Sequence, residues 1–438
     1  MTDTNYVGKR LPRYDGMQHA TGKTRYVGDI KLPGMLRAQA WRSPLPSAVI
    51  REIDISRAKK VRGVVAVITG ADVPNNLFGG DQPVLADKEV RYAGQEVVAV
   101  AADDLDAARE AVAKIRVELE PREPILDPLQ AMQPGAPKAR PEGNLLLFGA
   151  RDHLQIRKGE VEQGFAAADH IVESYFRTAA QEHSPIETQS SIAHTDSMGR
   201  THIYTVTQAV FFNQGTIAAI LGKPQASVHM IGGILGGGFG SKNDPHADHI
   251  CAVLSLYTGG RPVKWIWTRE EEFVASTHRA ATHLWFKDGV TQDGRLLARQ
   301  IKMVRDGGAY ASTNDYVVRK ACYGIAGPYN IPNVWIDGYS IFTNKRPTSS
   351  MRGFGLFQSS FAWDVQMERI AERIGVDSWR LRFLNAIRDG DTSATRAVQY
   401  HCGLIEVMQT AAKRAGMQLD ADLLQLTSKQ RTHGGAHG

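Results

Sequence analysis

Cysteine is scarce in this chain, and its spacing rules out most of what cysteine can build. Cys251, Cys322 and Cys402 are the only three in 438 residues, and no C-x-x-C pair occurs. A disulfide framework, a zinc knuckle and an iron–sulfur cluster made by this chain alone are therefore excluded, and the three read as buried thiols. Long apolar runs are missing too. No stretch approaches the roughly eighteen apolar residues of a membrane span, and the opening MTDTNYVGKR holds no apolar leader, so neither a membrane span nor export is expected and the expected location is the cytoplasm. Charge of one sign is nowhere concentrated. The 52 basic and 46 acidic residues are interspersed and leave a net charge of +6, whereas a nucleic-acid binder usually shows a basic stripe with interleaved aromatics. No nucleic-acid partner is expected.

What is present is the profile of an ordinary globular protein, 42% hydrophobic and 22% charged, with a length that suggests two or three domains. Val97 to Ala101 is a short apolar run with the length of a buried strand. Asp103 and Asp104 then offer a helix N-cap, and Leu105, Ala108, Val112 and Ile115 recur at helical spacing. Ile115, Val117 and Leu119 alternate with charged residues as a half-buried strand. From Pro121 to Gly149 there are six prolines and three glycines without periodicity, the mark of a connecting segment crossing the surface between two domains. Strand-like and helical stretches then continue to about residue 415, with an Asp293-Gly294 hairpin signal before Leu296-Leu297. The tail from Asp420 is polar and expected to fray.

The sharpest local feature is Gly232-Gly233-Ile234-Leu235-Gly236-Gly237-Gly238-Phe239-Gly240-Ser241-Lys242, between a strand-like Val228 to Ile231 and a helical Asp248 to Tyr257. Glycines at this density let backbone approach a ligand closely and aim N–H groups at an anion. Two familiar phosphate loops fail on spacing. A Walker A loop needs Gly directly before Lys with a hydroxyl residue after it, but Ser241 precedes Lys242 and Asn243 follows. The dinucleotide G-x-G-x-x-G started at Gly236 needs a glycine where Ser241 stands.

The stretch resembles the GGGFGGK signature of the molybdenum hydroxylases, the xanthine dehydrogenase and aldehyde oxidase superfamily, with Ser241 replacing the last glycine. Further segments agree in the same order. Residues 21–50 (TGKTRYVGDIKLPGMLRAQAWRSPLPSAVI) are similar to the opening of the family's α/β hammerhead domain, continued by 61–74 and 84–111. Then come His183-Ser184-Pro185-Ile186-Glu187-Thr188, Thr207-Gln208, Asp306-Gly307-Gly308-Ala309-Tyr310 and Ser350-Met351-Arg352-Gly353-Phe354-Gly355 with Gln358. The resemblance implies an α+β chain: an N-terminal arm over 1–14, a hammerhead domain over 15–125, a linker over 126–150, a molybdenum-cofactor-binding domain over 151–418 and a polar tail over 419–438.

The same resemblance assigns roles. Family members hold molybdenum on a pterin, with no direct protein ligand to the metal, so the protein supplies placement and electrostatics. Gln208 matches the glutamine whose amide donates to a molybdenum oxo group. Gly237, Gly238, Phe239 and Gly240 match the loop against the cofactor, and Arg352 matches the arginine of a second cofactor loop. Phe354 matches an aromatic lining the substrate channel. Asn243 stands where purine hydroxylating members carry a glutamate, which disfavours a purine held by charge-assisted bonds. Either Arg319 or Lys320 fits a substrate-facing basic position, because the spacing to Tyr329 differs by one residue from the common pattern.

The chain ends at Gly438 before any segment like the GxGE-type glutamate that serves the family as general base. The resemblance thus implies the N-terminal half of a molybdopterin-binding large subunit, either as a fragment of a longer chain or, the favoured reading, as in split members of the family, with the base on a second molybdopterin-binding subunit. Electrons would leave through an iron–sulfur subunit with a [2Fe-2S] cluster and an FAD subunit. The expected cofactor is the cytosine dinucleotide form, and the expected activity is hydroxylation of a heteroaromatic or aldehyde-type small molecule with oxygen from water. The rival readings are a non-catalytic scaffold subunit, against which Gln208, Phe239 and Arg352 argue, and a reductive member acting on aromatic thioesters. Weaker clusters carry no role: His246 and His249 read as capping or surface histidines, and Arg269-Glu270-Glu271-Glu272 as a solvated face with an ion pair.

Overall fold

The computed structural model describes residues 5–417. The expected tail over 419–438 lies outside the described residues, and residues 5–14 of the expected arm are exposed. Three sheets organise the rest. The largest has seven strands in the order Val228–Gly232, Thr201–Thr205, Ser190–Thr195, Val263–Ile266, Leu36–Arg42, Glu96–Ala102 and Val64–Ile68.

This sheet crosses the boundary that composition suggests. Leu36–Arg42, from the hammerhead segment, runs parallel to Val263–Ile266, with Leu36 opposite Val263 and Arg37 opposite Lys264. One core follows, in which Leu36 and Ala99 pack with Ala193, Ile250 and Trp265. The helix Ala247–Leu254 closes it, with all eight residues buried. His249 is one of them and His246 precedes it, so neither is the surface or capping histidine expected. His246 has no side-chain capping bond and packs beside Trp267, while His249 packs on Phe78. Burial holds both imidazoles neutral, His249 down to about 3.

Local signals are obeyed where the chain is short-range. Asp104 caps the helix Leu105–Lys114 by accepting the Ala107 N–H, and Glu96–Ala102 is a buried strand. A three-stranded sheet of Glu89–Val90, Ala48–Asp54 and Arg116–Pro121 completes the hammerhead segment.

The five-stranded sheet runs Leu154–Lys158, Asn333–Phe342, Leu296–Gly308, Thr282–Val290 and His170–Thr178. Thr282–Val290 and Leu296–Gly308 form the hairpin that Asp293-Gly294 signals, with Gly294 at φ +95°. The helices Asn314–Gly324 and Leu356–Ile374 supply one wall of its core through Val318, Cys322, Ala362 and Ile370. The proline-rich connection is not loose: Ile125, Ala131 and Ala139 are buried against Val304, Ile341 and Phe342, so it straps this sheet.

Cys251 and Cys322 are buried and Cys402 is half-buried, all unpaired. Among the described residues no helix is long and apolar enough to cross a membrane.

Candidate functional site

The glycine-rich loop leaves the strand Val228–Gly232 and returns into the helix Ala247–Leu254, and three distant segments close on it. The first is Thr207-Gln208, just after the strand Thr201–Thr205. Gln208 Oε1 accepts the Gly240 N–H at 2.8 Å, and the Gln208 N–H donates to the Lys242 carbonyl at 2.8 Å. The approach is so close that a Cβ on Gly238 would lie 2.4 Å from Gln208 Oε1. A side chain there would push the Gln208 amide off Gly240.

The second is the loop from Ser350 to Gly355. A Cβ on Gly240 would lie 2.6 Å from the Ser350 carbonyl oxygen, and Gly240 sits at φ +106°. The Arg352 N–H donates to the Phe239 carbonyl at 2.8 Å, and Asn243 Nδ2 donates to Ser350 Oγ at 2.5 Å. His183 Nε2 donates to the Ser350 carbonyl at 2.8 Å, and Arg279 donates to the Arg352 carbonyl at 2.8 Å. The Arg352 backbone is thus held at both ends while its side chain is exposed. Phe239 and Phe354 occupy equivalent positions on the two loops, each between two glycines and each left-handed, at φ +55° and +49°. Such backbone costs on the order of 1–3 kcal/mol per residue and persists where the surroundings impose it.

The third is the turn around Glu187. Its Oε2 accepts both the Gly236 N–H at 2.8 Å and Lys242 Nζ at 2.8 Å. The Lys242 side chain is fully buried and that of Glu187 nearly so, and burial pushes the lysine down from its ordinary value while Glu187 works against that shift. Sequence reading assigned neither residue a role. The available signal was a lysine closing a glycine loop, which needs a carboxylate if it is buried. Glu272 supports the same region from within the acidic run: it is buried, not solvated, and accepts the Gln189 N–H at 2.9 Å. Ser241 fits its position because its φ is not left-handed and its hydroxyl donates to the Gly238 carbonyl at 2.9 Å.

These contacts gather Gln208, Gly237, Gly238, Phe239, Gly240, Asn243, Arg352 and Phe354 in one place. A cavity of about 390 Å³ opens beside them, walled by Phe78, Phe212, Tyr316 and Phe354 and floored by Asn243 and Asp244. Arg319 and Lys320 are not brought to it. Arg319 Nε donates to Asp315 at 2.8 Å and its guanidinium lies over Phe148, while Lys320 is exposed one turn beyond Tyr316 and outside the lining. The helix Asn314–Gly324 turns Arg319 away because positions 315 and 319 share a face that 316 does not. Phe212, Tyr316 and Asp244 line the cavity without having been singled out in the sequence, since nothing in their spacing links them. A larger cavity of about 490 Å³, on the five-stranded sheet between Tyr175 and Lys302, shares no lining residue with the loops.

The loops present donors without acceptors. Among the described residues, the N–H groups of Gly237, Gly238 and Phe239, the Gln208 amide NH₂ and the Arg352 guanidinium donate to nothing. No group of three or more His, Cys, Asp or Glu side chains among the described residues is placed to hold a metal ion.

Residues 21–123 match the family described as aldehyde oxidase and xanthine dehydrogenase, a/b hammerhead domain, and residues 146–386 match the molybdopterin cofactor-binding domain. Over 418 residues the chain is 33% identical to the nicotinate dehydrogenase large molybdopterin subunit of Eubacterium barkeri, covering 94% of this chain and 97% of that one. It is 31% identical to the carbon monoxide dehydrogenase large chain of Afipia carboxidovorans, covering 87% and 50%. The solved aldehyde oxidoreductase of Desulfovibrio gigas superposes with a TM-score of 0.88 at 29% identity, over 93% of this chain and 46% of that one. The chain therefore spans nearly all of the first relative and about half the length of the other two.

Proposed function

Because this chain belongs to the aldehyde oxidase and xanthine dehydrogenase family of molybdenum-dependent oxidoreductases, we propose that it is the cofactor-holding half of a multi-subunit hydroxylase acting on a heteroaromatic or aldehyde-type substrate. The observation that carries this reading is that segments bearing unpaired donors are packed on one another. Three consecutive backbone N–H groups, one amide NH₂ and one guanidinium are without acceptors among the described residues, and together they would cradle phosphate and metal-oxo oxygens. The glycines fit the same group, since a side chain at Gly238 or Gly240 would fill the space that brings these donors together.

Gly237, Gly238, Phe239, Gly240 and Arg352 would hold a molybdenum–pterin cofactor, proposed here in the cytosine dinucleotide form. When bound, that group supplies two-electron oxidation with oxygen drawn from water. Gln208 keeps its carbonyl on Gly240, which leaves its NH₂ as the donor that would face an oxygen of the bound cofactor. Phe354 offers a ring face to a planar substrate, and Asn243, with its Nδ2 committed to Ser350, offers its Oδ1 as an acceptor.

A second molybdopterin-binding subunit would supply the glutamate base and cover the loops. Ile186 and Phe211 stand 95% and 82% exposed beside them, with Phe239 and Phe357 also open, and apolar side chains this exposed around a site mark a surface another chain buries. A [2Fe-2S] subunit and an FAD subunit would carry electrons away, in the cytoplasm.

The test is metal and pterin analysis of the native complex together with its mass in solution. Molybdenum near one per copy of this chain, cytosine nucleotide on acid release and a co-purifying second chain are the expected results. A stable, active monomer, or active material without molybdenum, would overturn the reading.

A further inference from the structure

Asp244 is the one charge lining the aromatic cavity that has no countercharge. Its Oδ1 accepts the Ser312 hydroxyl at 2.9 Å and its Oδ2 the Thr277 hydroxyl at 3.5 Å. No lysine, arginine or histidine forms an ion pair with it among the described residues. The other carboxylate at the cavity, Asp81, is paired with Arg140 at 2.8 Å and also takes the Ala311 N–H. Neither lysine nor arginine lines the space. Two helices begin beside it, after Ala209 and Thr313. A helix N-terminus contributes about half a positive charge, and the helix Asn314–Gly324 already carries Asp315 in its first turn.

The cavity therefore combines four aromatic walls with an unneutralised carboxylate. Aromatic faces attract cations, and a half-buried carboxylate without a countercharge repels an anion more strongly than one in bulk water. An N–H donor or a cationic nitrogen on a flat ring satisfies both features at once. A ring carrying its own carboxylate satisfies neither. The volume of about 390 Å³ lies in the range of small-molecule sites.

We infer that Asp244 is a specificity-determining acceptor, and that the cavity takes planar heteroaromatics bearing an N–H donor or a cationic nitrogen group in preference to aromatic carboxylates. This rests on the cavity being the substrate site of the proposed hydroxylase.

Benzamidine, benzamide and benzoate have nearly one shape and are cationic, neutral and anionic. Their equilibrium binding to the native complex is to be measured by calorimetry for the wild type, Asp244→Asn and Phe354→Ala, with molybdenum content checked in each. Asn keeps an oxygen for the Ser312 hydroxyl and offers an NH₂ that can donate to the Thr277 hydroxyl, so the local fold is retained. Benzamidine should bind the wild type about tenfold or more tighter than benzoate. Asp244→Asn should bring the two within about threefold, leaving benzamide nearly unchanged. Phe354→Ala should weaken all three. Benzoate binding as tightly as benzamidine, or a preference that survives in Asp244→Asn, overturns the role of Asp244 while a Phe354→Ala effect still upholds the cavity. Binding of none of the three, or binding indifferent to Phe354→Ala, overturns both the inference and the reading of the cavity as the substrate site.

Discussion

Gln208 Oε1 accepts the Gly240 N–H at 2.8 Å, and this bond settles which end of the amide points outward. A glutamine side chain has one acceptor end and one donor end. With the oxygen committed to the glycine loop, the NH₂ is the end left to face a ligand. Gln208→Ala should retain the cofactor yet slow reduction by substrate, since losing one preorganised donor costs roughly 2.7 to 4 kcal/mol of barrier, about a hundredfold to a thousandfold. Gln208→Glu keeps the acceptor and loses the donor, and should be equally slow. Single-turnover reduction at saturating substrate, with a molybdenum assay on the same sample, decides it. Full metal and the wild-type rate would make Gln208 a packing residue.

Gly238→Ala tests the same contact from the other side. Its methyl group would lie 2.4 Å from Gln208 Oε1, so the amide must swing off Gly240. Loss of molybdenum or of turnover is expected with a melting temperature close to wild type. A fully loaded, fully active Gly238→Ala would show that the loop yields more easily than its spacing implies.

Glu187 and Lys242 should behave as a buried pair. Glu187→Ala leaves the lysine without its partner, and breaking a buried pair costs roughly 3–5 kcal/mol. The Glu187→Leu/Lys242→Met double variant should recover most of that loss because it buries no charge. Urea unfolding of the three proteins gives the answer. A Glu187→Ala protein within about 0.5 kcal/mol of wild type would show the pair to be idle.

Arg352 and Phe354 are two residues apart and face different tasks. Arg352→Ala should lower molybdenum content, since it removes an exposed cation with no partner among the described residues. Phe354→Ala should keep the metal and raise KM, since it removes a cavity wall. Equal metal content and turnover in Arg352→Ala and wild type would refute its assignment.

Asp248, buried beneath the glycine loop, predicts a pH effect on stability. Burial lifts its carboxyl from 3.8 to about 6, with Lys242 opposing the shift. Below about 3.8 both folded and unfolded chains hold the proton. Between there and about 6 only the folded chain holds it, so this group's contribution to stability falls as pH rises and is lost above about 6. Asp248→Asn should therefore gain on wild type by up to about 3 kcal/mol between pH 4 and pH 7.5. Unfolding curves at the two pH values check it. A stability difference that does not change with pH would mean that Asp248 is not the titrating group.

The parts of this protein that were legible in its sequence are those set by neighbouring residues. The Asp104 cap, the buried strand Glu96–Ala102, the Asp293-Gly294 turn and the motifs containing Gln208, Phe239, Arg352 and Phe354 all rest on short spacings. Backbone propensity, capping and turn chemistry act over a few residues, so they leave a readable pattern. Tertiary structure alone decided the rest. Gly240 meets Ser350 because the loop that follows the five-stranded sheet's strand Asn333–Phe342 packs against the glycine loop of the seven-stranded sheet, and Glu187 meets Lys242 where the turn before Ser190–Thr195 reaches the same loop. The pairing of Leu36 with Val263 joins two segments that composition had divided, and the proline-rich connection between them is buried where it straps the second sheet. The Arg319 guanidinium was drawn over Phe148, and His249 into the core. Each of these outcomes depends on which surface the fold brings opposite a residue, and partners as far along the chain as Ser350 is from Gly240, or Val263 from Leu36, leave no local spacing to read.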